Sequence, residues 1–294
     1  KHASELFADA TIDFLKKHNY NKPFFAYLSF TAPHDPRSMP KEYEQMYDTT
    51  AIAMPPNFLP LHPWDFGDFY VRDEKLAPHP RTESDVKTRT RDYYAMITHM
   101  DAQIGRILEQ LKASGAYENT IIIFTSDNGA AIGQHGLFGK QNLYEHSIGV
   151  PLVISGPGIP KNEKREAFTY LYDIFPTLCE LTGLESPNTI QGKSFATSLK
   201  NVNYKTRKSM TFGYKENIRA YRNEQFKLIE YFVNGERNSQ LFNLEKDPFE
   251  IINLLDDKKN TSKYLEMKTK MLQEMKSQED TNQIYNQLFK ETTK

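Results

Sequence analysis

One cysteine, Cys179, stands in 294 residues. That excludes an internal disulfide and any metal site built from cysteines. There is no excess of one charge either: 37 Lys and Arg face 38 Asp and Glu, for a net charge of -1. Nucleic-acid and membrane-surface proteins carry a basic excess or patch, so this balance argues against both partners. No apolar run approaches the roughly 18 residues of a membrane helix. No signal-peptide pattern opens the sequence, and no internal repeat or low-complexity tract interrupts it. What is present is ordinary for a globular protein, 38% hydrophobic and 26% charged residues. The length suits one large domain or two modest ones. Aromatics reach 13%; their faces suit flat polar ligands such as sugars, but more often they fill cores.

Ala3, Phe7, Ala10, Phe14 and Leu15 repeat at helical spacing, and Asn19 to Asn21 break that helix. Phe24 to Phe30 reads as a short strand buried on both faces, ending in the loop Thr31-Ala32-Pro33-His34-Asp35-Pro36. Residues from about 36 to 81 are Pro-rich and aperiodic, an excursion of the kind that is functional or disordered. Tyr93, Ile97, Met100, Ile104, Ile107, Leu108 and Leu111 mark a long amphipathic helix stopped at Gly115. Ile121 to Thr125 and Pro151 to Ser155 read as two more buried strands, and residues 170–183 as a further helix. Alternation of strands and helices predicts an α/β fold with a mostly parallel sheet flanked by helices. After about residue 205 the runs Met210 to Tyr214, Ile218 to Arg222, Phe226 to Phe232 and Gln240 to Leu244 predict a small antiparallel β subdomain. The tail from about 262 is helical. The division is therefore 1–204 for the α/β part and 205–294 for the small α+β subdomain.

Ligands of open α/β sheets bind beyond the carboxyl ends of the strands, and three polar clusters fall there. They are His34-Asp35, Asp127-Asn128, and the loop Gly133-Gln134-His135-Gly136-Leu137-Phe138-Gly139-Lys140. Asp127 and Asn128 offer oxygen ligands side by side, which selects a hard cation over zinc; Asp-Asn-Gly is also a common turn signal. His34 could equally be a surface-loop histidine, His135 could bond a ligand or the backbone, and Lys140 could be a solvated lysine. Their common place at strand ends raises the standing of each.

These stretches resemble the type I sulfatases of the alkaline-phosphatase superfamily. The likeness runs from Pro23-Phe24-Phe25 through His34-Asp35-Pro36, Asp101, Thr125-Ser126-Asp127-Asn128-Gly129 and Gly133 to Lys140. It continues through Tyr144-Glu145, Val150-Pro151-Leu152, Gly156-Pro157-Gly158 and Asp173-Ile174-Phe175-Pro176-Thr177-Leu178. Lys227-Leu228, Leu241 to Leu244 and Asp247-Pro248-Phe249-Glu250 look like the C-terminal subdomain of the same enzymes. The resemblance implies hydrolysis of a sulfate ester with Ca²⁺ or a similar hard divalent cation. Asp127 and Asn128 would be two cation ligands. His34 and Lys140 would contact the sulfate group, Lys140 stabilising charge and His34 protonating the leaving alcohol. His135 would sit beside the metal or touch substrate. A sulfated sugar is one substrate of that class; a phosphodiester or phosphonate ester shares the geometry, and a silent anion-binding remnant is the non-enzymatic alternative. Relatives of this kind are commonly exported or lysosomal.

The departures from the pattern are specific. The family's nucleophile is a formylglycine made from Cys/Ser-x-Pro-x-Arg. Cys179-Glu180-Leu181-Thr182 does not match, and Ser38-Met39-Pro40-Lys41-Glu42 has Glu42 in the arginine's place. Two further aspartates of the family's first strand and a Lys-x-His motif are also missing. The chain therefore reads as the C-terminal portion of a sulfatase, with the missing N-terminal half as its partner and little activity by itself. The residues 57–81, with His62, Trp64, Asp65, Arg72 and His79, read either as a specificity loop or as a packed surface loop.

Overall fold

The computed structural model describes residues 1–292. They form two compact units: residues 1–55, 80–124 and 153–158 in the first, and 56–79, 125–152 and 159 onward in the second.

In the first unit, α1 (Ala3–Lys17) and the four-residue α2 (Lys41–Glu44) pack on α3 (Glu83–Ala113). Thr82 caps α3 by accepting from the Asp85 amide, and Gly115, at φ 75°, lies beyond its end; a left-handed residue there suits glycine. Ala32, Met96 and Met100 form a small core with Phe30, Met39 and Ile104 around it. β1 (Ile122–Thr125) pairs with β2 (Leu152–Ser155). The strand expected at Phe24 to Phe30 is not formed. Phe25 and Tyr27 are 76% and 84% exposed, and among the described residues no strand pairs with the stretch. A strand needs a neighbour to take its N–H and C=O groups, and hydrophobic composition alone does not supply one.

The second unit holds α4 (Glu145–Ile148), α5 (Ile174–Thr182), α6 (Ala196–Lys200), four strands, α7 (Thr261–Ser277) and α8 (Gln283–Thr292). The strands β3 (Ser209–Tyr214), β4 (Ile218–Asn223), β5 (Phe226–Val233) and β6 (Glu236–Asn243) form an antiparallel meander in sequence order, as the sequence predicts. Asn234 and Gly235 both have positive φ (52° and 85°), the turn that matches the twist of a two-residue hairpin. Alternation gives the sheet two buried faces. Tyr221, Leu228 and Leu241 lie in register across three strands beneath Met267, Met271 and Met275 of α7. Ile218, Ala220, Ile229, Tyr231 and Phe242 face the other way, against Phe66, Leu137, Leu143 and Tyr144. That second face is the floor on which the candidate site of this unit is built. Among the described residues no helix is long and apolar enough to cross a membrane.

Candidate active site

The polypeptide leaving β1 turns through Ser126-Asp127-Asn128-Gly129. The Ser126 hydroxyl donates to the Asn128 carbonyl at 3.0 Å, and the Asn128 side-chain N–H donates to the Gly129 carbonyl at 2.7 Å. Asp127 is exposed. The segment is fastened by two main-chain bonds: Gly129 N–H to the Ser147 carbonyl and Ala131 N–H to the Gly139 carbonyl, both 2.9 Å. The second bond joins Ala131, three residues beyond Asn128, to the end of the lysine loop.

That loop, Gly133 to Lys140, reverses tightly. Gly133, His135 and Gly136 all have positive φ (96°, 52° and 78°). A Cβ on Gly136 would lie 2.4 Å from the main chain of Leu61 and His62, so only glycine permits the approach. The stretch 57–62 lies alongside: the Asn57 carbonyl accepts from the His135 amide at 2.8 Å, and Leu59 N–H donates to the Gly133 carbonyl at 3.4 Å. Farther on, the buried Glu74 carboxylate accepts from the Phe138 amide through both oxygens at 3.1 Å and from the Gly139 amide at 3.0 Å. Asp73 accepts from the Gln141 side chain at 2.9 Å, and Gln141 Oε1 accepts from the Lys140 amide at 3.0 Å. Burial alone would push the Asp73 carboxyl up. Hydrogen bonds from Gln141 and Arg72, and the charges of Arg72 and Lys140, outweigh that and hold it below the usual carboxylate range.

Behind the loop lies a buried aromatic layer. The His135 ring stacks on Tyr144 with centroids 3.8 Å apart and planes 6° from parallel, and its Nε2 meets the Asn57 side-chain nitrogen at 3.1 Å. Tyr144 donates to Gln240 at 2.7 Å, and His62 sits 3.1 Å from the same hydroxyl. Burial depresses His135 to about 3, with the charges of a protonated His62 and of Lys227 adding to it. Burial likewise takes His62 to about 4, against a bond to the Trp64 carbonyl. Both rings are neutral at pH 7.

Two cations from the sheet close this layer. Lys227, fully buried, lies 2.6 Å from Glu250 and 3.1 Å from Glu145; Arg222 lies 2.5 Å from Glu145. Glu250 also accepts from the Glu145 amide at 2.7 Å. The four charges cancel, which is the condition for burying them.

Among the residues singled out from sequence, Asp127, Asn128, His135 and Lys140 belong to the second unit and His34 to the first. His34 is exposed, its Nδ1 2.8 Å from the Asp35 carbonyl. Its loop is tied to α3 through Arg37, which pairs with Asp35 at 3.1 Å, donates to the Arg89 carbonyl at 2.6 Å and lies over the Tyr93 ring. The excursion 57–81 is mixed: His62, Asp73, Glu74 and Arg81 are buried, whereas Asp65, Arg72 and His79 are exposed. His62 is buried and Trp64 half-buried against Tyr231. Sequence reasoning assigned no role to Asp73, Glu74, Glu145 or Glu250, although Glu145 and Glu250 fall in stretches that carry the family resemblance. Lys227 carried a signal of its own: with Glu230 it is one of two charged residues in the otherwise apolar run Phe226–Val233, and a buried cation demands a counter-charge.

Donor chemistry at Asp127 and Asn128, a carboxylate and an amide oxygen, fits a hard cation. The number does not complete a site: two donors stand where about six to eight are needed. No group of three or more His, Cys, Asp or Glu among the described residues is placed to hold a metal.

Comparison with known proteins identifies the family. The model of the sulfatase family matches residues 1–184. That of the C-terminal region of N-sulphoglucosamine sulphohydrolase matches residues 133–278. The chain therefore belongs to the sulfatase family. It is 32% identical to mouse arylsulfatase K over 84% of its own length and 49% of that protein's. It is 30% identical to an arylsulfatase of Clostridium perfringens over 98% of its length and 61% of that protein's. The chain thus spans about half the length of the curated relatives it matches. Its fold superimposes, with a TM-score of 0.81 and 24% identity, on the structure of BT4656 in complex with its substrate D-glucosamine-2-N,6-O-disulfate, covering 95% of this chain and 70% of that one. It matches the phosphonate monoester hydrolase of Agrobacterium radiobacter with the same TM-score and 27% identity, covering 94% and 60%.

Proposed function

We propose that the protein hydrolyses sulfate esters, with a sulfated sugar as the substrate class. Beside family membership, one observation carries this reading. The Ala131–Gly139 main-chain bond ties the segment that follows Asp127-Asn128 to the loop that carries Lys140. An anionic tetrahedral group needs that pairing of a cation-holding edge with a fixed positive charge. In this proposal Asp127 and Asn128 hold part of a divalent cation's shell, calcium or a similar hard ion, which would draw charge from the sulfate oxygens. Lys140 contacts a non-bridging oxygen. The family resemblance gives His34, in the first unit, the role of protonating the alcohol as the sulfur–oxygen bond breaks. The burial of His135 on Tyr144 supports a part in shaping the loop; its geometry gives no support to substrate contact.

The nucleophile has no candidate in this chain. Cys179 is buried in α5 and lies outside any Cys/Ser-x-Pro-x-Arg. The reading therefore assigns the formylglycine and the remaining cation ligands to a part of the enzyme outside these residues. Residues 1–204 are then the C-terminal part of an alkaline-phosphatase-like catalytic domain, and 205–294 its small subdomain. The exposed stretch Phe24 to Phe30 becomes one strand of a mostly parallel sheet completed by that other part, and an exported location accompanies the assignment. Similarity to a phosphonate monoester hydrolase keeps a second ester class in the test.

The test is steady-state kinetics of the full-length protein on 4-nitrophenyl sulfate, an alkyl sulfate and a phosphonate monoester. Lys140→Ala should lower kcat about 10²–10³-fold, as loss of one charge-stabilising group does. His34→Ala should impair the alkyl sulfate far more than the nitrophenyl ester, whose leaving group needs no proton. Turnover of the phosphonate alone would move the assignment to that class. Unchanged kcat in Lys140→Ala would overturn the site.

A further inference from the structure

We propose that Glu74 is a positioning residue for Lys140. Its buried carboxylate clamps the two backbone amides that immediately precede the lysine and fixes where the ammonium is presented. The inference rests on the role given to Lys140 above.

Burial of a carboxylate is costly unless charge-assisted hydrogen bonds replace its water. Glu74 is 1% exposed and faces main-chain donors at 3.0–3.1 Å. An apolar side chain would fill the same space without that desolvation, so packing alone does not explain the charge. What the charge does is local. It converts two orphan amides of an irregular loop into fixed points, one and two residues before Lys140. Gly139 allows the approach, because a Cβ there would lie 3.0 Å from Glu74 Oε1 and 2.3 Å from Gln141 Oε1.

A second tie runs in parallel. Asp73 holds the Gln141 side chain, and Gln141 holds the Lys140 amide itself. Main-chain groups of residues 138, 139 and 140 are thus all held by Asp73-Glu74 and by Gln141. Arg72 clasps Asp73 at 2.7 Å and faces solvent, closing the cluster from outside. The short 3-10 turn Asp73–Leu76 lies in the excursion that reads from sequence either as a specificity loop or as a packed surface loop. Its acidic pair acts on the lysine loop instead. A displacement of about 1 Å in a group that stabilises a transition state costs about 10²-fold in rate, and that is what the clamp prevents.

The experiment is a double-mutant cycle in the full-length protein: Glu74→Gln and Lys140→Ala, singly and together, with kcat and KM on 4-nitrophenyl sulfate. Glutamine keeps the size but offers one acceptor oxygen and places an N–H₂ against the amides. Expected is a loss in kcat of about 10- to 100-fold for Glu74→Gln, with KM little changed, and less than about twofold further loss when Lys140 is already alanine. Equal losses in both backgrounds, or none, would overturn the proposal. Should Glu74→Gln not fold, Gln141→Ala, which cuts only the tie to the Lys140 amide, takes its place in the same cycle. Should the unaltered protein turn over no sulfate ester, the functional reading fails by itself. Glu74 is then judged by calorimetric binding of inorganic sulfate: the clamp requires Glu74→Gln to weaken it and Lys140→Ala to abolish that difference.

Discussion

Lys227→Met tests whether the buried charge cluster is built as described. Lys227 has no exposed surface, and its ammonium is 2.6 Å from Glu250, itself 1% exposed. Methionine keeps the volume and removes the charge. Breaking a buried pair by deleting one partner costs about 3–5 kcal/mol, because the surviving charge stays desolvated. Two features place this case at the lower end, about 3 kcal/mol: Glu145 keeps Arg222, and Glu250 keeps the Glu145 amide. The loss depends on pH. Burial raises the Glu250 carboxyl above its usual range even with Lys227 pulling it down, so removing Lys227 raises it further. A carboxyl raised in the folded state binds its proton more tightly there than in the unfolded chain. Stability is therefore retained below the unfolded value, near about 4.3, and lost as pH rises through the folded one. The assay is urea unfolding of the full chain at pH 5 and pH 8. Trp64, the single tryptophan, packs against the core of the same unit at Tyr231 and serves as the probe. The deficit should be larger at pH 8, and Lys227→Met with Glu250→Leu should recover most of it. A deficit below about 1 kcal/mol at pH 8, or a double variant no better than the single, would refute the account.

Gly136→Ala should destabilise the second unit by at least about 2 kcal/mol, since a left-handed backbone and a 2.4 Å approach to the main chain of Leu61 and His62 cannot both be relieved; denaturation by urea checks it, and an unchanged midpoint would contradict the close approach. Calorimetric titration of these 294 residues with Ca²⁺ should show no binding tighter than about millimolar, because two oxygen donors do not make a site; tight binding abolished by Asp127→Ala would prove that reasoning wrong. The same 294 residues, with intact mass verified, should not turn over 4-nitrophenyl sulfate, because no nucleophile is encoded to form a covalent sulfate ester; turnover would falsify the assignment of the nucleophile elsewhere.

Local pattern determined much of this protein. The stripe from Ala3 to Leu15 is α1 and the stripe from Tyr93 to Leu111 lies within α3, because a 3.6-residue repeat of apolar side chains states its own geometry. The four β-rich runs after residue 205 became β3 to β6 nearly in place, since short alternating runs joined by turns pair with their neighbours. The segments at Asp127-Asn128 and Gly133 to Lys140 were legible as polar loops because glycine and strand-end polar residues are local signals. What pairs with what was not. Phe24 to Phe30 has strand composition but no ladder, because a strand exists only when a second backbone meets it. His135 read as a group for ligand or backbone and is a ring stacked in a buried layer, since nothing in its neighbours announces Tyr144 across the loop. Glu74 sits in an aperiodic stretch where a carboxylate carries no sequence signal, and Glu250 is distant in sequence from the strand lysine it neutralises. Their roles come from bonds to residues dozens of positions away, and only the folded chain brings those partners within 3 Å.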